Sequence, residues 1–538
     1  MILEADKNDH LLYEVDEATG ELVGDPVCEE CSVCQRVANL LSGVIALWIE
    51  LWVRGTRKSF KMDRNKLFNG GFRDDLTDQG LTLPPNEPDV VTAIRDHLIE
   101  SDIAADEVCT HDRLGFYELN GKTVFLANEV IGDCKKVSHY FKPAITAPKG
   151  TLEAWLSIIN KDIIGHPNME LALAIGISAP VAHLLQKAKL IVEVPIWSLV
   201  GESSTGKTTS ARLMASIYGS PEEGSGLIQD FHATDTALFA TLQDCGIVHI
   251  LDESTIAGKK DRSDMIYSLS KSMEKLRCNP DGSLKERRTF SGTVVITGEQ
   301  SLLENTTANL GLYARVAELT LPWTDDADHA RRISQGFRTN YGTAIVPYAE
   351  HLLTMQEKRP DVLEKGFHQE FEKFRAKIGA VSGVEERVLN MYATVTLSAR
   401  IFNKAQGVKL DVAGMRDLLV EVHRKSVKKE SLARELYETI MDEVALHGQY
   451  FPTTSGKRKD QINPFSMWGE QTTLQGKEVL WIAGRKFQEF AGQHGFDNPT
   501  PYLQELHKQG LVKKYSDGFT TKHNLGGNQV RCYCFYKS

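Results

Sequence analysis

The sequence predicts an α/β protein whose central domain is a sheet of parallel strands covered by helices. The first observation is a glycine-rich run at residues 201–208, which stands between an apolar strand segment and a helical pattern. The second is a pair of later apolar strands that end in polar residues, at Asp252 and at Thr297. The third is the order helix, turn, helix and β-hairpin in residues 475–538, which is typical of a winged helix.

Composition limits the classes of protein to which the chain can belong. Its 538 residues, 41% hydrophobic and 25% charged, predict a globular protein of several domains. The net charge of −10 indicates that any contact with nucleic acid is local. Nine scattered cysteines and no leader segment predict reduced thiols in the cytoplasm. The longest apolar stretches, 40–53 and 171–185, contain Glu50, Pro180 and His183, so we expect buried core and no membrane partner.

Residues 1–148 predict an α+β domain in which short β segments alternate with turns. Its one unusual chemical feature is Cys28-x-x-Cys31-x-x-Cys34. Three thiolates at this spacing are suitable for a zinc or iron–sulfur site, which would need a fourth ligand. Unliganded cysteines at a strand edge are the alternative, and the sequence leaves the choice open.

Residues 151–350 predict the nucleotide-binding core. The run at residues 201–208 fits G-x-x-x-x-G-K-[ST] between a strand and a helix, where backbone N–H groups and a helix N-terminus surround phosphates. Lys207 would reach the β- and γ-phosphates of ATP, and Thr208 would hold Mg²⁺. A chance lysine after a glycine turn is the alternative. The predicted nucleotide-binding residues are Gly201, Glu202, Ser203, Ser204, Thr205, Gly206, Lys207, Thr208 and Thr209.

Two strands after the glycine-rich run predict the remaining catalytic groups. Residues 246–253 form an apolar segment that ends in Asp252, a predicted Mg²⁺ ligand, and Glu253, a predicted general base for water. Residues 292–299 form the next strand, where Thr297 is the predicted sensor of the γ-phosphate and Glu299 the less favoured choice. Acidic pairs and polar residues also occur at the ends of ordinary strands. Each of these motifs therefore indicates a nucleotide site only in combination with the others.

Arg315 stands just before a further apolar strand. An arginine at this place is suited to act as a finger on the γ-phosphate held by a neighbouring subunit. The active site would then lie between subunits, and a closed ring would complete the head-to-tail contact. A surface salt bridge is the alternative for Arg315.

Residues 275–288 predict two short arms around an Asn-Pro-Asp-Gly turn. An insert before the sensor strand would project into the channel of a ring, where cations could bind the phosphates of single-stranded DNA. A solvated charged hairpin is the alternative. The predicted contacts are Lys275, Arg277, Lys285, Arg287 and Arg288.

The regions after the core predict a helical lid or linker over residues 351–450 and a winged helix over residues 475–538. Before them, Arg331 or Arg332 is a candidate second sensor of phosphate, although a plain surface pair is an equal alternative. Residues 501–538 contain six Lys or Arg and two Asp or Glu, which predicts duplex binding through phosphates. Protein contacts are the alternative role. The predicted phosphate contacts are Lys513, Lys514, Lys522 and Arg531.

Several of these motifs together resemble one known family. Residues 201–209, Leu251-Asp252-Glu253, Thr297-Gly298-Glu299 and residues 341–344 resemble an uncharacterised-domain P-loop ATPase family from replication modules of phages, satellites and chromosomal cassettes. Its cassette members are similar to AAA+ helicases of the minichromosome-maintenance type, with a presensor hairpin and a winged helix. The resemblance covers about residues 10–350. The Asp252-Glu253 pair and the cysteine triplet of this chain distinguish it from superfamily III viral helicases.

The resemblance implies an AAA+-type core and a self-loading replicative helicase. We therefore expect an ATP-dependent, ring-forming DNA helicase, an initiator-helicase of a mobile genetic element, which assembles as a hexamer and moves along single-stranded DNA. Two alternatives remain: a P-loop ATPase that remodels protein partners, as a loader or a defence motor, and a nucleotide-controlled origin-binding factor that does not unwind DNA.

Overall fold

The structure is a computed structural model of the chain. It describes all residues except 84–86, 232–233, 244, 253–261, 279, 286, 306–311, 313–314, 380–382, 455–466, 495, 497–498, 517 and 538. The side chains of residues 304–305, 383–384 and 426–431 are also outside the description. The predicted general base, Glu253, thus lies outside the described residues. The chain divides into two compact units, Met1–Pro143 and Ala144–Ser538.

The first unit combines strands with helices. A mixed sheet has the order β11-β7-β4-β5-β6, and two antiparallel sheets have the orders β1-β2-β3 and β10-β9-β8. Helix α3 buries Ile94 and Leu98 in a core shared with Leu47 and Ile49 of β5. The elements are β1 (Ile2–Asp6), β2 (Leu11–Val15), β3 (Leu22–Glu29), β4 (Cys31–Asn39), β5 (Ile45–Val53), β6 (Thr56–Asp63), α1 (Lys66–Asn69), α2 (Phe72–Asp78), α3 (Pro88–Ala104), β7 (Glu107–His111), β8 (Gly115–Leu119), β9 (Lys122–Leu126), β10 (Val130–Ile131) and β11 (His139–Tyr140).

The second unit begins with the predicted core, in which the described strands form one parallel sheet of order β13-β14-β15-β12-β16. Strand β12, which precedes the glycine-rich run, is therefore central. The elements are α4 (Pro143–Thr146), at the boundary of the units, α5 (Leu152–Ile158), a π-helical turn (Ile159–Ile163), α6 (Pro167–Lys187), β12 (Ile196–Val200), α7 (Lys207–Ser216), β13 (Ile228–Asp230), α8 (Asp235–Leu242), β14 (Val248–Asp252), α9 (Ser263–Ser270), β15 (Thr293–Gly298), a 3₁₀ turn (Leu302–Asn305) and β16 (Val316–Leu319).

Helices cover this sheet on both faces, as the continuous apolar character of its strands requires. Helices α6 and α7 pack on β14 and β15. Gly176 of α6 allows this helix to approach α7 closely, because a Cβ at its position would lie 2.8 Å from Cδ1 of Ile217, the residue after α7. Among the described residues, α6 is the one helix that is long and apolar enough to span a membrane, and 89% of its apolar window is buried inside the protein. That burial is the property of a core helix.

Long helices follow the core: α10 (Ala327–Thr339), α11 (Ile345–Lys358), α12 (Asp361–Ile378), α13 (Gly383–Gln406) and α14 (Val412–Leu446). The fully buried carboxylate of Glu370 on α12 joins three of them. It accepts hydrogen bonds from Lys373, from Arg400 on α13 at 2.8 Å and from Arg416 on α14 at 2.6 Å. Burial alone would raise the pKa of Glu370, but these cations lower it to about 2.

The C-terminal region contains a helix pair and an antiparallel sheet of order β17-β18-β20-β19. After a 3₁₀ turn (Gly448–Tyr450), its elements are β17 (Gly469–Leu474), β18 (Lys477–Ala483), α15 (Gly484–Gln493), α16 (Thr500–Lys508), β19 (Thr520–Leu525) and β20 (Asn528–Tyr536). The sheet begins at Gly469, before the start at residue 475 that the sequence predicts, because β17 pairs along its whole length with β18. Phe487 and Phe490 of α15 pack against Ile440 and Val444 of α14.

Candidate functional site

The glycine-rich run forms a tight loop between β12 and α7. Ser204 and Gly206 have positive φ angles of 68° and 88°. A Cβ at Gly206 would lie 2.7 Å from the Oγ1 atom of Thr324, so both the backbone conformation and the space require glycine there. Helix α7 begins at Lys207, directly after this glycine. Its first-turn N–H groups therefore face the space in front of the loop, as an anion site at a helix N-terminus requires.

A cavity of about 550 Å³ lies against this loop. The ammonium group of Lys207 donates hydrogen bonds to the backbone oxygens of Gly201, at 2.8 Å, and Glu202, at 2.7 Å. Thr205 closes the loop by donating to the backbone oxygen of Glu202. Most of the predicted nucleotide-binding residues line the cavity, and the remainder form the loop behind it. The lining residues are Ser203, Ser204, Gly206, Lys207, Thr208, Thr209, Asp252, Thr297, Gly298, Glu299, Ala327 and Ala330.

Adjacent parallel strands bring Asp252 and Thr297 into this cavity. Strands β14 and β15 pair with Leu251 opposite Ile296, so the next residue of each strand is Asp252 or Thr297. Asp252 is only 8% exposed, and its carboxylate accepts a hydrogen bond from the Thr297 hydroxyl. The hydroxyl of Ser203 donates to Glu299, which connects the loop to the end of β15. The structure thus gives the less favoured Glu299 a direct contact with the loop.

One wall of the cavity was not predicted from the sequence. Ala327 and Ala330 stand on the first turns of α10 and line the cavity. The chain reaches this helix through Trp323, whose backbone N–H donates to the backbone oxygen of Thr205. The short side chains leave room in front of the loop. No local motif marks these alanines, because their position depends on how the segment after β16 returns to the loop.

Arg315 lies at the opposite edge of the sheet, just before β16 begins. Its side chain is 11% exposed and its guanidinium forms an ion pair with Glu193 at 2.7 Å. It also donates to the Ser270 hydroxyl at 3.1 Å and lies over the Tyr267 ring. Within one chain, Arg315 therefore makes the salt bridge that was the alternative to a finger. Its role toward a second copy stays a prediction.

The predicted basic arms lie opposite one another, with bridges between Met273 and Thr289 and between Cys278 and Leu284. They stand before β15, at the same edge as Arg315. Arg277 and Arg288 both contact the buried carboxylate of Glu274, at 3.4 and 3.6 Å.

The five basic side chains of the arms differ in the contacts that they make. Lys275 pairs with Asp264 at 2.7 Å, and Arg288 donates to Gln243 as well as contacting Glu274. Lys285 and Arg287 are exposed, and neither forms an ion pair within the described residues. The two latter side chains are thus the ones that the structure presents to solvent.

The two arginines of α10 also differ. Arg332 pairs with Asp162 at 2.8 Å, on the side of the π-helical turn. Arg331 is 63% exposed, pairs with Asp328, and stands one helical turn after Ala327, which lines the cavity. Of the two candidates, Arg331 is therefore on the helical face nearer to the cavity.

All three cysteines of the triplet are described, and their three sulfur atoms do not form one group of ligand atoms in this part of the chain. Cys28 and Cys31 are buried, whereas Cys34 is exposed and donates to the backbone oxygen of Trp48. A hydrogen bond with Cys28, together with burial, raises the pKa of the Cys31 thiol well above its usual value. The exposed Cys34 thus differs from the buried Cys28 and Cys31, and a metal site at the triplet stays a prediction.

The predicted phosphate contacts of the C-terminal region lie on its hairpin and beside it. Lys522 of β19 and Arg531 of β20 are paired in register, and both are exposed. Lys513 and Lys514 follow α16 and are half-buried. The backbone N–H of Lys513 donates to Cys534, which attaches this segment to β20.

Comparison with known proteins gives matches in two parts of the sequence and across the fold. Residues 24–289 match the family described as a domain of unknown function, DUF927, and residues 431–536 match the Cch helix-turn-helix domain. The chain is similar to the solved structure described as "SCCmec type IV Cch - active helicase", with 21% sequence identity and a TM-score of 0.64. The similarity covers 100% of this chain and 97% of the other. Comparison with curated proteins gives no match.

These matches confirm the mixed α/β class and the helix-turn-helix domain at the C-terminus. They also support, at the level of the family, the resemblance to uncharacterised-domain proteins of chromosomal cassettes.

Proposed function

We propose that this protein is an ATP-dependent, ring-forming DNA helicase with an AAA+-type core that serves the replication of a mobile element. The observation that carries the proposal is the gathering of Lys207, Thr208, Asp252 and Thr297 around one cavity at the carboxyl edge of a parallel sheet. The likeness in fold to a chain described as an active helicase supports it across the full length.

The residues of the cavity have different roles in the proposed hydrolysis of ATP. The loop N–H groups and Lys207 bind the phosphates and hold the γ-phosphate in line for attack by water. The Thr208 hydroxyl and the Asp252 carboxylate are oxygen donors in the same cavity, which is the donor set that Mg²⁺ prefers. When bound, Mg²⁺ supplies positive charge to the phosphate oxygens. Thr297 holds the carboxylate of Asp252 in orientation, and Glu253, outside the described residues, is proposed as the base.

Position in the sheet supports an AAA+-type assignment of Thr297. Strand β15 lies between β12, which leads into the loop, and β14, which ends at Asp252. The Thr297 side chain is therefore between the glycine-rich loop and Asp252, the predicted metal ligand. Loss of the γ-phosphate at this place would affect both the loop and Asp252. Arg331 on α10 is proposed as the second sensor.

Arg315 supports assembly of the protein as a ring. Its strand edge is opposite to the cavity, so Arg315 cannot serve the nucleotide of its own chain. In a head-to-tail ring, the same arginine would stand beside the cavity of the next subunit. The ion pair between Arg315 and Glu193 would then have to break as the seam, the interface between two neighbouring subunits, forms. We propose a hexamer.

Contacts with DNA are assigned to two regions of the second unit. The exposed Lys285 and Arg287 would bind phosphates of the single strand in the channel, while Lys275, Arg277 and Arg288 maintain the arms. The helix-turn-helix region would bind duplex phosphates through Lys513, Lys514, Lys522 and Arg531.

The deciding experiment measures unwinding of a forked DNA duplex with ATP, beside electron-microscope class averages of the same sample. The proposal expects strand separation by the native chain, none by Lys207→Ala, and closed rings in the images. ATPase activity that is indifferent to DNA would instead favour a motor that remodels proteins. Binding of duplex without any unwinding would favour an origin-binding factor.

A further inference from the structure

A second group of potential ligands lies beside the cavity and has no role in the proposed hydrolysis. His166 directly precedes α6, while Asp325 and His329 stand at the start of α10. The Nδ1 atom of His166 is 2.9 Å from Asp325 Oδ2, and His329 Nδ1 is 3.8 Å from the same oxygen. All three ligand atoms lie within 4.8 Å of one another. The ring centroids of the two histidines are 4.3 Å apart.

The hydrogen bonds of His329 fix which of its nitrogens has a lone pair. Its Nε2 atom lies 2.7 Å from the backbone oxygen of Asp162, which can only accept, so Nε2 carries the proton. In a neutral imidazole, Nδ1 is then the unprotonated atom, and it accepts a hydrogen bond from the Asp325 N–H at 3.3 Å. This Nδ1 atom, on a side chain that is 2% exposed, lies 3.8 Å from the Asp325 carboxylate oxygen, and a metal ion would replace the Asp325 N–H as the partner of its lone pair. A ligating histidine commonly donates its other N–H to a backbone oxygen in this way.

The spacing of the three atoms agrees with one small metal ion. Ligand atoms about 2.0–2.2 Å from a tetrahedral zinc ion are separated from each other by roughly 3.4 Å. The two separations from the Asp325 oxygen, 2.9 and 3.8 Å, lie on either side of this value. Two imidazoles and one carboxylate are a donor set for zinc and similar divalent transition metals, and they leave a fourth position for water.

We infer that His166, Asp325 and His329 bind a divalent transition metal ion, of which zinc is the representative. The ion would join the start of α6 to the start of α10. Helix α10 lines the nucleotide cavity with Ala327 and Ala330, so the ion would hold one wall of that cavity in place. The inference concerns metal binding itself and does not depend on the proposed helicase activity.

The competing arrangement is an ion pair between Asp325 and a protonated His166, with no metal. The two arrangements predict different effects of substituting Asp325. For an ion pair at the surface, removing Asp325 leaves the zinc affinity unchanged, since the pair holds no ion and is screened by solvent. For a metal site, the same change removes one of three ligands.

The test is a calorimetric titration of the full-length protein with zinc chloride, repeated with Asp325→Asn and His166→Ala. Asp325 is 64% exposed and His166 is 29% exposed, so both variants are expected to fold. Loss of a second-shell partner typically lowers metal affinity by about 10–100-fold, and we expect loss of a ligand to lower it by at least about 100-fold. His368→Ala, at an exposed histidine of α12, and Cys34→Ser, at the exposed thiol, are the matched controls and should bind zinc as the native chain does.

Cobalt(II) spectra separate this site from binding by cysteine. The native chain with one equivalent of cobalt should show visible ligand-field bands without a thiolate charge-transfer band, and Asp325→Asn should lose those bands. The inference is wrong if Asp325→Asn and His166→Ala both bind zinc with native affinity. It is equally wrong if the cobalt complex of the native chain shows thiolate bands that Cys34→Ser removes.

Discussion

The two edges of the parallel sheet in the second unit differ in how their functional residues are engaged. At the carboxyl edge, Lys207, Asp252 and Thr297 converge on one cavity, and each contacts another part of it. At the amino edge, Arg315 is held by Glu193, while Lys285 and Arg287 face solvent. One edge therefore forms a site within a single chain. The other presents groups whose proposed partners, a second subunit and DNA, lie outside it.

This difference indicates which functions need assembly. Neighbouring strands of a parallel sheet deliver their last residues to the same edge, so the proposed nucleotide pocket needs only one chain. An arginine before a strand lies at the wrong edge for that pocket and can act on it only from another copy. Four predictions test this division, in order of decreasing effect on activity, and a fifth concerns the stability of the helices that follow the sheet.

Lys207→Ala should reduce ATP turnover more than about 10³-fold, because it removes the charge that the phosphates meet at the carboxyl edge. Steady-state phosphate release measures this effect. Lys161→Ala, at an exposed lysine of the π-helical turn, is the matched control and should retain native turnover. Comparable turnover in both variants would show that nucleotide is hydrolysed elsewhere.

Arg315→Ala should reduce turnover by about 10³-fold if the arginine acts across a seam, the lower limit for such fingers. The decisive measurement mixes this variant with Lys207→Ala in equal amounts. Each variant supplies what the other lacks, so about one quarter of seams should regain both groups in a randomly mixed ring. A mixture that remains inactive would leave Arg315 as the partner of Glu193 alone, and the contrast between the edges would fail.

Thr297→Val should reduce turnover by about 10²-fold, since it keeps the shape of the side chain and removes the hydrogen bond to Asp252. Titration of Mg²⁺ in the same assay should show a higher requirement for the metal. Thr293→Val, at the start of β15 and far from the cavity, is the control on the same strand. Equal effects of the two changes would argue for general loosening of the sheet.

Lys285→Ala with Arg287→Ala should leave ATP turnover without DNA unchanged and remove its stimulation by single-stranded DNA. Binding should also become less sensitive to salt, with a slope of log affinity against log salt reduced by about 1.4 for two lost phosphate contacts. Arg288→Ala is the comparison, since it deprives buried Glu274 of a partner and should lower stability. If single-stranded DNA still stimulated the ATP turnover of the double variant fully, the arms would not be a contact for DNA.

Glu370→Gln should leave turnover unchanged and lower the free energy of unfolding at pH 7 by about 3 kcal/mol, because it removes the buried partner of three cations. The pKa of Glu370 is lowered to about 2 from its usual 4.5, so the stabilisation is complete above about pH 4.5. It is lost as the pH falls toward 2. Urea unfolding from pH 7 to pH 2 should therefore show the two proteins converging, and a constant difference would contradict this account.

Much of the candidate site could be predicted because its motifs are local. The eight residues of the glycine-rich run specify a turn, a helix start and a lysine, and none of these depends on distant packing. The arms at residues 275–288 and the final hairpin were also predictable, since turn residues determine where short strands reverse. The start of the C-terminal sheet at Gly469 was missed, because β17 has no turn signal of its own and is defined by its pairing with β18.

The sequence by itself determined the parallel α/β core, the glycine-rich loop and the order of the C-terminal helices and strands, because backbone geometry follows from patterns over a few residues. Only the tertiary structure decided which side chains meet: Arg315 with Glu193, Gly206 against Thr324, and His166 with Asp325 and His329. These partners are distant along the chain. Their contacts arise from the packing of whole helices and strands, which no short pattern encodes.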